Sequence, residues 1–155
     1  MPNRQFISAI ALGGLVAGTI DIAAACLINW VSPIVILHAI ASGILGSASF
    51  HAGASSAALG LILQWLMSLL IAAIFVVGAR WYPSLRRRWM GAGLVYGVVI
   101  FFVMNYAVVP LSAVGHSFHF TAAKFLENLL AMLLFGIIIA YFAHERPDTL
   151  AVASA

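Results

Sequence analysis

The chain has 155 residues, 65% of them hydrophobic and 7% charged, with a net charge of +3 and a mean hydropathy of +1.13. Soluble domains carry about 25% charged residues, so this composition excludes a soluble globular fold. The few basic residues also cannot form the clustered basic face that nucleic-acid binding requires.

The composition predicts an all-α integral membrane bundle embedded in the lipid bilayer. No Asp, Glu, Lys or Arg occurs between Asp21 and Arg80, or between Arg88 and Lys124, and one span needs only about 20 such residues. The first helix is expected over about 6–29. It follows a short basic N-terminus in the order of a signal peptide, but its apolar stretch is too long for one and Asp21 falls where cleavage would be expected, so it reads as a retained span. It ends at Trp30, an interfacial anchor, before Ser32 and Pro33, which suit the start of a new helix.

The segment 34–50 is apolar and just long enough to cross. If it crossed, Arg80, Arg86, Arg87 and Arg88 would fall on the outer side, against the positive-inside rule. It is therefore expected to re-enter and return through Gly43, Gly46, Ser47, Ser49, Gly53 and Ser55. Further spans are expected over about 56–79, 89–109 and 121–143, with a break at Pro110, Thr121 as N-cap and a disordered tail over 148–155. The expected architecture is a single domain over 1–147: four transmembrane helices plus a short membrane-embedded segment, both termini cytoplasmic. Gly14-x-x-x-Gly18 and Gly93-x-x-x-Gly97 provide faces on which helix backbones approach closely.

Ionisable groups inside a span are costly and so are functional candidates. Asp21 and Glu127 are the carboxylates in this position, and Asn105 joins them. A rise of about 1.5 Å per residue puts all three roughly 5–8 Å outward of the midplane. The re-entrant segment would bring His38 and His51 into the same layer, Asn128 and Tyr106 adjoin it, and Lys124 lies at i, i+3 from Glu127. Two carboxylates in one low-dielectric layer repel each other, which makes the layer a candidate for proton exchange. The alternative is a purely structural network of hydrogen bonds between helices.

Other chemistry finds less in the residues. Cys26 is alone, so there is neither a disulfide nor a CxxC pair. His116 and His119 are spaced for a shared metal if their loop is helical, with His38 or His51 completing the set. Ser47, Ser49, Ser55 and Ser56 flank His51, but no strained nucleophile turn accompanies them. No phosphate or dinucleotide fingerprint is present, so no cofactor is expected and the reading leans away from an enzyme.

From Leu61 to about Ala143 the order of features resembles the YagU-like uncharacterised bacterial inner-membrane proteins. The marks are an aliphatic helix ending in Trp81-Tyr82-Pro83, a basic turn, a glycine-bearing helix from Gly91 to Gly97, then Val109-Pro110-Leu111-Ser112, and a last helix carrying Glu127. Such proteins have a His about one turn after that carboxylate, where this chain has Ala131 and Met132. The resemblance implies residence in a bacterial inner membrane and brings no activity with it.

These readings lead to a small transport or channel-like protein that binds a small solute or cation from the outer side through Asp21, Asn105, Glu127, His38, His51 and Lys124, in a homo-oligomer if a pathway needs more volume than four spans enclose. Two alternatives stand beside it. One is a non-catalytic partner subunit or assembly factor docking on a larger membrane protein through its GxxxG faces, and the other is a metal, haem or quinone redox protein using the histidines.

Overall fold

In the computed structural model, residues 3–113 and 121–144 are described, and among them every regular element is helical. In chain order these are α1 (Asn3–Asn29), α2 (Pro33–Leu45), a 3-10 turn (Gly46–Phe50), α3 (Gly53–Trp81), α4 (Pro83–Arg87), α5 (Trp89–Val103), a π-helical turn (Met104–Val108), α6 (Val109–Leu111) and α7 (Ala122–Ala143). Five helical runs, Arg4–Asn29, Pro33–Phe50, Gly53–Trp81, Trp89–Leu111 and Ala122–Ala143, are long and apolar enough to cross a membrane by length and composition. That is the pattern of a multi-pass membrane protein. The exterior agrees: Ile62, Leu66, Leu70 and Ile74 on α3 and Leu126 and Leu130 on α7 are all more than half exposed, a surface that water would penalise and lipid would not.

Small residues decide how the long helices pack. Ala9, Ala17, Ala72, Ala79, Ala140 and Ala143 are buried, and two glycine seams bring backbones together. A Cβ on Gly14 would stand 2.9 Å from the Cα of Leu69, and one on Gly18 would collide with the Ser68 side chain. On the other seam, a Cβ on Gly93 would stand 2.9 Å from the Cα of Ile137, and one on Gly97 2.8 Å from the Cα of Leu133. Both GxxxG faces are thus occupied inside the chain, the first by α3 and the second by α7. Tyr96 ties α5 to α3, its hydroxyl donating to the Ile71 carbonyl at 2.7 Å.

The contacts fix helix directions. Residues 14, 18 and 21 of α1 meet 69, 68 and 64 of α3 in descending order, and the Arg80 guanidinium lies over the Phe6 ring at 5.7 Å, so α1 and α3 are antiparallel. α5 and α7 are likewise antiparallel, as are α1 and α7, where Gly13 meets Phe142 and the Lys124 ammonium donates to the Ile28 carbonyl. Arg4, Arg80, Arg86, Arg87 and Arg88 therefore gather at one end of the bundle, and Lys124 lies at the other.

The chain between α1 and α3 turns back on itself. Gly46 has φ 59° and ψ −149° and Gly53 has φ 63°, backbone that L side chains rarely adopt. In a straight helix His38 and Phe50 would be about 18 Å apart, yet their ring centroids are 6.2 Å apart. His38 Nε2 also lies 3.1 Å from the Gly53 carbonyl, to which it donates. Near its C-terminus α2 is bonded to the segment after α6, with the Ala113 N–H donating to the Gly43 carbonyl at 2.8 Å. That is the same end of the bundle at which α1 finishes and α7 begins.

Two boundaries depart from the sequence expectation. α3 starts at Gly53 rather than near 56, because Gly53 supplies the positive φ that turns the chain into the helix. The fourth long run does not break at Pro110 but continues to Leu111. Proline lacks an N–H and its ring presses on the carbonyl four residues earlier; the wider π turn just before it gives that carbonyl room.

Candidate functional site

The site begins with the glycine seam of α1. Gly14, Gly18 and Asp21 lie at i, i+4 and i+7, on one face of a helix. The glycines bring α3 against that face, and the approach places Gln64 opposite Asp21. Gln64 Nε2 donates to Asp21 Oδ2 at 2.8 Å and, more weakly, to the Gly18 carbonyl at 3.4 Å. Two further bonds hold the neighbourhood. Ser68 Oγ donates to the Trp65 carbonyl at 3.1 Å, and Trp65 Nε1 donates to Thr19 Oγ1 at 3.4 Å.

Asp21 and Gln64 border a cavity with about 30 Å³ of room for water centres, lined also by Met67, Ser68 and Ile71 of α3, Ile100 of α5, Met104 of the π turn, and Met132 and Phe135 of α7. Four of the five long helical runs, all but Pro33–Phe50, contribute to its wall. That volume holds about two waters, and Asp21, Gln64 and Ser68 are the polar residues on an otherwise apolar wall.

The other residues singled out from the sequence are distributed differently. Asn105 donates from Nδ2 to the Phe101 carbonyl of its own helix at 2.8 Å. Its neighbour Met104 lines the cavity. Glu127 Oε2 lies 3.2 Å from Lys124 Nζ, with side chains 47% and 39% exposed, so this ion pair is at the rim. Glu127 is five residues, about 7.5 Å of helix rise, beyond Met132. Lys124 also straps the start of α7 to the Ile28 carbonyl at the end of α1. Asn128 donates to the Lys124 carbonyl within α7 at 2.8 Å.

His38 belongs to the returning segment, bonded to Gly53 and edge-on to Phe50, while His51 is exposed just before α3. His116 and His119 lie outside the described residues. Among the described residues no three His, Cys, Asp or Glu side chains stand together as a metal-ligand set. Of the sequence-predicted group, then, the cavity takes Asp21, while Glu127 and Lys124 form a separate pair at the rim.

Gln64 and the three methionines were not singled out from the sequence. A signal for Gln64 was present: Ser56, Gly60, Gln64, Ser68 and Ala72 recur every four residues through an otherwise aliphatic helix, a small and polar stripe that marks a packed face. Gln64 carries no charge, so the cost of burying an ionisable group does not mark it. The methionines carry no such signal, because Met is an ordinary filler in apolar helices.

Comparison of the chain with known protein families, curated proteins and solved structures finds no match.

Proposed function

We propose that this chain is a transport or channel-like protein of a bacterial inner membrane that binds a small cation at Asp21, in the cavity between its four long helical runs. In this reading α1, α3, the α5–α6 run and α7 cross the bilayer, and the segment from α2 to the 3-10 turn enters from one side and returns to it. The antiparallel pairing of α1 with α3 supports this, since a crossing between them would make them parallel. So does length: the 13 residues of α2 rise about 20 Å before the Gly46 turn, against a hydrocarbon core of about 30 Å. The five arginines at one end favour placing that end in the cytoplasm, and with four crossings both termini lie there.

The single observation that carries the functional reading is that Asp21 faces the centre of the bundle across a water-sized space rather than the helix ends. Energetics argue against a purely structural role. A carboxylate deep in a span costs about 2.5–3.5 kcal/mol on insertion scales, while an interhelical hydrogen bond in a membrane contributes about 0.6 kcal/mol on average and about 1.7 at most. The bond to Gln64 alone therefore does not offset the cost of the charged form, and a counter-ion, either a proton on the carboxyl or a bound cation, reduces it. The partner-subunit alternative is weakened because both GxxxG faces are already packed within the chain.

The test is flux of a panel of monovalent cations into liposomes containing the purified protein, compared with Asp21→Asn. Flux should fall about tenfold or more in the variant while its helical content and monodispersity stay unchanged. Equal flux in the two proteins would contradict the assignment.

A further inference from the structure

The wall of the Asp21 cavity has an unusual chemistry for a cation site. Of five methionines in the chain, Met67, Met104 and Met132 line it, one each from α3, the π turn and α7. Methionine usually serves to fill irregular gaps in a core. Here three methionines border one space together with a carboxylate-bearing residue. The π turn contributes as well: such turns displace the residues beyond them relative to a regular helix and recur at functional sites, and this one begins at Met104.

Size, oxygen supply and charge then narrow the occupant. About 30 Å³ is room for about two waters, a scale that suits a bare or partly hydrated ion. The side-chain oxygens on the wall are those of Asp21, Gln64 and Ser68, short of the six to eight oxygens that Ca²⁺ takes, and Mg²⁺ needs an octahedral shell that it surrenders reluctantly. Thioethers are poor ligands for hard cations but select soft ones such as Cu(I). One carboxylate balances one positive charge, and a second charge left uncompensated in low dielectric would be costly.

We propose that this cavity is a binding site for a soft monovalent cation, Cu(I) or its redox-stable mimic Ag(I), held by the thioethers of Met67, Met104 and Met132 with Asp21 as counter-charge. The proposal rests on the cation-binding reading of the same cavity and specifies the class of cation.

The experiment is calorimetric titration of Ag(I) into the purified full-length protein in chloride-free, thiol-free detergent. A Cys26→Ser background removes the free thiol. One equivalent should bind. Each of Met67→Leu, Met104→Leu and Met132→Leu should weaken binding about tenfold or more, and the triple variant should lose it. Leucine is close to methionine in volume, and melting temperature without silver checks that the triple variant is folded; silver should raise that temperature only in the protein with its methionines. Failure of the folded methionine protein to bind Ag(I), or equal binding by the triple leucine variant, overturns the proposal. Sodium flux separates this from failure of the broader reading. If sodium flux is abolished by Asp21→Asn but the folded methionine protein does not bind Ag(I), the cation pathway stands and the soft-cation assignment falls; if Asp21→Asn changes neither silver binding nor flux, both fall.

Discussion

Asp21 and Gln64 illustrate how a polar pair inside a membrane separates stability from function. Removing only Gln64 leaves a carboxylate without its donor, whereas replacing both members by apolar side chains of similar size removes the whole desolvation cost. Asp21→Leu/Gln64→Leu should therefore melt in detergent at or above the temperature of the unaltered protein, and Gln64→Leu alone below it. A double variant destabilised as strongly as Gln64→Leu would mean that the pair holds the bundle together. Half of this site was legible in the sequence. Asp21 interrupts a long uncharged stretch, and the cost of burying it draws attention; Gln64 carries no charge, and its importance arises only when Gly14 and Gly18 bring α3 within reach. Asn105 illustrates the other side of such a reading: its Nδ2 donates to the Phe101 carbonyl of its own helix, while its neighbour Met104 lines the cavity.

At the scale of helices, the glycine seams act by letting backbones touch. A Cβ at Gly97 would lie 2.8 Å from the Cα of Leu133, backbone that cannot move aside, whereas at Gly78 a Cβ meets nothing within 4 Å. Gly97→Ala should destabilise the protein by about 1–3 kcal/mol through overpacking, and Gly78→Ala should stay within about 0.5 kcal/mol; thermal unfolding of the two variants side by side checks this, and equal melting temperatures would count against the close approach of α5 and α7. The long helices themselves were readable because gaps in charge exceed the length of a span. The extension through Pro110 was not, because a π turn is a response of the backbone to the proline and leaves no compositional mark. The reversal after α2 was partly readable: small residues marked where a turn was allowed, but only the positive φ of Gly46 and Gly53 says where it is made.

For the whole molecule, the cavity is built on α1 and α3 running in opposite directions, the pairing in which Asp21 meets Gln64. A chain that crossed the bilayer between them would separate the two halves of the site and place the arginine-rich end on the other side. The four-crossing reading makes a direct prediction for two exposed positions that flank the returning segment, Ser32 and Ser55. Single cysteines at Ser32, Ser55 and, as a control, exposed Ser84 in α4, each in a Cys26→Ala background, can be labelled in intact cells with a membrane-impermeant maleimide. The account predicts that Ser32→Cys and Ser55→Cys label from the outside and Ser84→Cys does not. Labelling of Ser32→Cys and Ser55→Cys from opposite sides would contradict it.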